Sequence, residues 1–166
     1  MIRVLVSACL LGEKVRYNGA DAASGSRILK DWLAEDRVVP FCPEVAGGLG
    51  VPRPAAEIRG EGGESVLDGT GQVVTRAGET VTDAFLRGAG LALEAAVTSG
   101  ARVAILKEGS PSCGTGFVYD GSFSGRRKAG RGVTAALLER HGIRVFSELG
   151  LEEAAACLKA MEGVSA

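Results

Sequence analysis

The stretch Ala101-Arg102-Val103-Ala104-Ile105-Leu106-Lys107-Glu108-Gly109-Ser110-Pro111-Ser112-Cys113-Gly114-Thr115-Gly116 decides the fold. Its opening is a short apolar run, the pattern of a buried strand. A strand usually passes to its helix through a few ordinary residues, but this one meets glycines, a proline, two serines and a cysteine. Gly109, Gly114 and Gly116 open backbone shapes closed to other residues, and Pro111 fixes φ and removes a donor. A turn so restricted, at the carboxyl end of a strand, holds Ser110, Ser112 and Cys113 toward a ligand. Two other stretches have the same form. Arg3-Val4-Leu5-Val6-Ser7-Ala8-Cys9 and Arg37-Val38-Val39-Pro40-Phe41-Cys42 are also apolar strands that deliver a cysteine.

Apolar spacing predicts helices over Asp21–Glu35, with Ile28, Leu29, Trp32 and Leu33 on one face, over Gly132–His141 and over Leu151–Met161. Thr80-Val81-Thr82-Asp83 has the Ser/Thr-x-x-acid spacing of a helix start, and that helix runs to about Ser99. A fourth strand is expected at Ile143–Ser147, and Ser65–Thr75 is read as a small hairpin on a Gly-rich turn. Asp120–Gly130 is a polar Gly-rich segment, and no internal repeat or interdomain linker is visible. Strands alternating with helices imply a parallel sheet with right-handed crossovers. The expected fold is α/β: a single domain over 1–166, a Rossmann-like three-layer sandwich with a mainly parallel sheet of about four strands plus a hairpin insertion. Ligands of such sheets bind outside the carboxyl ends of the strands, where strand order reverses. Cys9, Cys42 and Cys113 all fall at that edge, so separations of 33 and 71 positions (9 to 42, 42 to 113) do not keep them apart in space.

Bulk composition bounds the chemistry. With 166 residues one domain with a proper core is the default, and no apolar run approaches the roughly 20 residues of a membrane span. Met1-Ile2-Arg3-Val4 enters a strand directly, without a secretory pattern, so a cytoplasmic location is expected. A net charge of −1 argues against a nucleic-acid polymer as partner. In a reducing compartment four cysteines serve as ligands, nucleophiles or core residues rather than disulfides. The single histidine excludes His-rich binuclear sites and Cys₂His₂ fingers.

Cys157 shares the apolar face of the last helix with Ala154, Leu158 and Met161 and is read as core. Cys9, Cys42 and Cys113 are read as a shared inorganic site. Three thiolates without histidine suit a cubane iron–sulfur cluster with one iron lacking a protein ligand, or a zinc ion with an open position. Either is a Lewis acid. Glu44, two residues past Cys42, is placed to act as a general acid or base. His141 closes a helix far along the chain, so Ser110 and Ser112 are read as hydrogen-bond donors rather than members of a Ser-His-Asp triad. Arg16, Arg53 and the run Arg126, Arg127, Lys128 and Arg131 are candidates for an anion pocket.

Three separated motifs in order resemble the thiouracil desulfidase family. They are Ser7-Ala8-Cys9-Leu10-Leu11-Gly12 with Val15-Arg16-Tyr17, Cys42-Pro43-Glu44 with Gly47-Gly48-Leu49 and Pro52-Arg53, and Ser110-Pro111-Ser112-Cys113-Gly114 with Tyr119-Asp120-Gly121. The resemblance runs from residue 1 to about Glu148. It implies a [4Fe-4S] cluster on Cys9, Cys42 and Cys113, Glu44 as acid/base and Ser110 beside the substrate. The substrate is then a thiolated pyrimidine whose sulfur meets the open iron, and the reaction gives uracil and hydrogen sulfide without net redox change. Iron–sulfur assembly machinery is the implied partner in maturation. Substrate contacts are expected from Arg16, Tyr17, Asn18, Arg53, Ser112, Arg126 and Arg127. Asn18 stands where an acid is expected after Arg-Tyr. The basic run before the helix near Val133 is either a phosphate site, and with it a sign of a thiolated uridine monophosphate rather than the free base, or a solvated loop. Two other functions compete: a non-catalytic iron–sulfur or zinc module for redox sensing or sulfur transfer, and a metal-free nucleotide-binding module.

Overall fold

Residues 1–165 are described by the computed structural model; Ala166, the last residue of the expected domain, lies outside them. In chain order the strands are β1 (Arg3–Ser7), β2 (Val38–Phe41), β3 (Ala56–Arg59), β4 (Gln72–Thr75), β5 (Ala101–Leu106), β6 (Phe117–Tyr119), β7 (Arg127–Ala129) and β8 (Arg144–Ser147). The helices are α1 (Arg27–Ala34), α2 (Pro43–Ala46), α3 (Gly62–Leu67), α4 (Thr82–Ser99), α5 (Val133–Arg140) and α6 (Leu151–Ser165).

Four strands form a parallel sheet in the order β2-β1-β5-β8. Its apolar runs are continuous because both faces are covered. Val4, Val6, Val103 and Ile105 pack with Leu29, Trp32, Leu151 and Leu158 from α1 and α6. The alternate residues Leu5, Ala104 and Leu106 meet Ala92 and Ala96 of α4 and Ala135 and Leu138 of α5. This is the expected three-layer α/β architecture. From β1 the chain steps to β2 on one side and later returns to β5 on the other. Strand order therefore reverses between β1 and β5, whose carboxyl ends lead to Cys9 and Cys113.

Four local expectations are corrected. α1 begins at Arg27, not near Asp21, because Ser26 Oγ accepts from the amides of Ile28 (3.1 Å) and Leu29 (3.5 Å). Upstream, Asp21 Oδ1 ties up the amide of Ala23, a local bond that competes with helix. The Ser65–Leu67 half of the expected hairpin is helical, in α3, with Ser65 Oγ donating to the carbonyl of Gly62. The partner of β4 is instead β3, paired Ile58 to Val73. Thr80 makes a bridge to Val74 rather than capping α4, and Thr82 Oγ1 accepts from the Val73 amide. Asp120–Gly130 is not wholly irregular: it ends in β7, antiparallel to β6. Ile58, Val73 and Val118 from these short strands share a core with Phe85 and Ala89 of α4 and Val133 of α5.

The short α2 lies directly on α4. A Cβ at Gly88 would sit 2.0 Å from the carbonyl oxygen of Pro43, and one at Gly47 would sit 2.1 Å from that of Ala84. Gly88→Ala is expected to lower the melting temperature by up to about 8 °C, since overpacking of about 1–3 kcal/mol is offset only in part by a helix-propensity gain of about 1 kcal/mol. Gly90 lies two residues on, with nothing within 4 Å of its would-be Cβ. Gly90→Ala should leave the melting temperature unchanged or higher in the same calorimetric scan. Equal behaviour of the two variants would mean that α2 yields freely. Among the described residues no helix is long and apolar enough to cross a membrane.

Candidate active site

A cavity of about 490 Å³ opens at the carboxyl edge of the parallel sheet, and Cys9, Cys42 and Cys113 all line it. Each thiol arrives by a different local device. Cys9 lies in a 3₁₀ turn, Ala8–Leu11, that Gly12 ends with a left-handed φ of 95°. Cys42 is the extended residue before α2, where Pro43 takes the first helical position. Cys113 sits in a loop held from three sides. Ser110 Oγ accepts from the amides of Ser112 (3.0 Å) and Cys113 (2.8 Å). The first amides of α5, from Val133 and Thr134, donate to the carbonyls of Pro111 and Ser112. Glu108 gathers four donors: the amides of Gly109, Thr115 and Gly116 and the hydroxyl of Thr115. Burial alone would raise the Glu108 pKa, but these bonds outweigh it and hold the carboxyl below its usual range.

Burial pushes the Cys9 thiol up to about 11, with Cys42 adding to the rise and Arg16 and Lys107 opposing it. Burial, with Glu44 nearby, pushes Cys113 up to about 12, and Cys42 is raised for the same first reason. The metal-free thiols therefore hold their protons at neutral pH. Ligation of a metal by these thiols would expel those protons, so loading would gain as pH rises.

Beside the thiols stands the most buried ion pair among the described residues. Glu44 Oε1 meets Arg53 Nε at 3.1 Å, with side-chain exposures of 15% and 6%. Arg53 also donates to the Val15 carbonyl through Nη2 (2.9 Å), and its amide to the Tyr17 carbonyl (2.7 Å), which joins the Arg16-Tyr17 loop to Glu44. Ser110 donates its hydroxyl to Glu44 Oε2 at 3.4 Å while its oxygen takes two amides. That serine is fully engaged as a positioning group.

Arg16, Tyr17, Arg53 and Arg127 line the cavity with Glu44 and Ser110; Asn18, Ser112 and Arg126 do not. Asn18 Oδ1 accepts from the Ala20 amide in a local turn. Ser112 is buried, its hydroxyl paired with Thr134 Oγ1 at 2.8 Å. The phosphate site suggested for the basic run is not formed at the start of α5. Its first amides are bonded to the cysteine loop, Lys128 reaches the Gly60 carbonyl and Glu61, and Arg131 pairs with Glu64. Cys157 packs against the α1–α6 core and does not line the cavity. Residues given no site role from the sequence are Glu57, Arg76, Lys107, Phe117, Tyr119 and Phe123, all on the cavity wall. The apolar alternation Phe117-Val118-Tyr119 was the available signal.

Among the described residues no three His, Cys, Asp or Glu side chains close on a single ion position. Three soft thiols spread around one cavity, without a fourth, fit a polynuclear iron–sulfur cluster with one iron left open. The comparisons with known proteins agree. The family model for 2-thiouracil desulfurase matches residues 4–149. The uncharacterized protein YbbK of Bacillus subtilis is 49% identical over 150 residues, covering 90% of this chain and 98% of the relative. A solved structure of the [4Fe-4S]-dependent thiouracil desulfidase TudS superposes with a TM-score of 0.89 at 51% identity, covering 96% of this chain and 99% of the other. A match of this extent, over a chain whose thiols and glutamate converge on one cavity, makes the protein a member of the 2-thiouracil desulfurase family.

Proposed function

We propose that the protein is a [4Fe-4S]-dependent desulfidase that converts thiouracil, or its nucleoside or nucleotide, to uracil and hydrogen sulfide. The observation that carries this reading is the convergence of Cys9, Cys42 and Cys113 with the Glu44–Ser110 pair on one cavity. The three thiolates would hold the cluster, which when bound supplies a Lewis-acidic iron for the thiocarbonyl sulfur. The residues of the chain do the rest. Glu44 takes a proton from water, whose oxygen adds to the ring carbon as the C=S bond gives way to C=O. Arg53 fixes the angle of the Glu44 carboxylate, and Ser110 holds its second oxygen. Water in and hydrogen sulfide out balance the reaction with no electron transferred. Residues 1–166 form a single desulfidase domain, at work in the cytoplasm and matured by iron–sulfur assembly machinery.

The test is sulfide release from thiouracil by anaerobically reconstituted protein, normalised to bound iron and acid-labile sulfide. Cluster-loaded protein that releases no sulfide is instead a sensor or sulfur-transfer module. Substrate size is a separate question. Among the described residues Arg76 and Arg127 line the cavity without a carboxylate partner, so a 5′-phosphate would find guanidinium groups there. kcat/KM for the 5′-nucleotide should exceed that for thiouracil, and Arg76→Ala with Arg127→Ala should erase the difference. Equal values in the wild type would assign the arginines to structure.

A further inference from the structure

The wall of the cavity contributed by the small antiparallel strands is aromatic. In β6 the side chains alternate, so that Val118 enters the core while Phe117 and Tyr119 line the cavity, their rings edge to face at 6.0 Å between centroids. The Arg127 guanidinium lies over Phe117 at 4.2 Å. Phe123, in the loop that follows, also lines the cavity.

The backbone of Phe123 is unusual. Its φ is 57°, in the left-handed region, where a bulky residue is disfavoured and glycine or asparagine is the ordinary choice. Three ties hold it there. Glu57 Oε1 accepts from the amides of both Gly121 (3.0 Å) and Phe123 (3.1 Å). Arg76 Nη2 donates to the Phe123 carbonyl at 3.4 Å, with its guanidinium 5.6 Å from the ring centroid. Gly121 seats the turn on β3, where a Cβ would lie 2.8 Å from the Ile58 carbonyl oxygen. A loop that needed only to turn has no use for an aromatic residue held in this way on the wall of the site.

Resting on the desulfidase reading, we infer that Phe117, Tyr119 and Phe123 form the aromatic wall against which the pyrimidine ring lies, and that Glu57 is the positioning residue that sets Phe123 in that wall. A flat heterocycle presents a π face whatever its substituents, and an aromatic wall can hold it while its sulfur faces the thiols. The effect belongs to binding rather than to the chemical step.

Phe123→Leu keeps an apolar side chain but removes the plane. In iron-loaded protein it should raise KM for thiouracil by roughly 5- to 150-fold, the range for loss of one aromatic partner of a base, with kcat within about threefold. The inhibition constant of uracil should rise in parallel, and Phe123→Tyr should stay close to wild type. Glu57→Ala should show the same KM effect, and Glu57→Gln, which keeps an acceptor oxygen for the two amides, should recover most of it. Full iron with unchanged KM and uracil inhibition in Phe123→Leu overturns the inference. So does Glu57→Gln as defective as Glu57→Ala, because the charge rather than the clamp would then matter. If Phe123→Leu fails to fold, Tyr119→Leu on the same wall carries the KM test with the same two outcomes. Failure of the desulfidase reading shows earlier and separately, as loaded wild type that releases no sulfide.

Discussion

Cys9→Ser, Cys42→Ser and Cys113→Ser are each expected to lose most of the bound iron, the brown colour and thiouracil desulfuration. The three thiols line one cavity, and among the described residues no other cysteine does. A serine oxygen is a poor substitute for a soft thiolate at iron–sulfur sites. Loss of an outer partner of a metal site already costs about 10–100-fold, so loss of a direct ligand should exceed it. Cys157→Ala is the internal control: it packs against the α1–α6 core and should keep full iron. Iron and sulfide analysis after identical anaerobic reconstitution decides the matter. A single serine variant with a full cluster and full turnover removes that residue from the ligand set, and iron loss in Cys157→Ala would argue for four ligands and no open iron.

Glu44→Gln should do the opposite, retaining the cluster and losing turnover. The amide can keep its oxygen toward Arg53 Nε, so the loop that Arg53 ties to Val15 and Tyr17 stays in place. It cannot take a proton from water. General base catalysis is typically worth about 10²–10⁴ in rate, and kcat per bound cluster should fall by that amount. A value within a few-fold of wild type would reduce Glu44 to the partner of Arg53 and the first-turn acid of α2. Circular dichroism and iron content should match wild type in either case.

The parallel sheet was legible because its strands are buried on both faces and therefore read as unbroken aliphatic runs, as in Val4-Leu5-Val6 and Val103-Ala104-Ile105-Leu106. The thiols were legible for the same reason: each follows such a run. Of the small strands only β4, one arm of the expected hairpin, was. β3 and β6 have four and three residues, and what makes them strands is the shared packing of Ile58, Val73 and Val118 with Phe85 and Val133, which no local pattern announces. Side-chain direction was lost with them. Of two adjacent arginines only Arg127 lines the cavity, and Ser112 turns inward to Thr134 although Ser110 two residues away meets Glu44. The helix-start phosphate site failed because the amides it required belong to the cysteine loop.

Those same amides bear on how the protein ages. The loop of Cys113 is fastened by α5 and by the donors around Glu108, with bonds that owe nothing to iron. A cluster lost from the three thiols would therefore leave this anchor standing, a scaffold organised before its metal arrives. Repair would then ask for iron and sulfide, not for a new polypeptide.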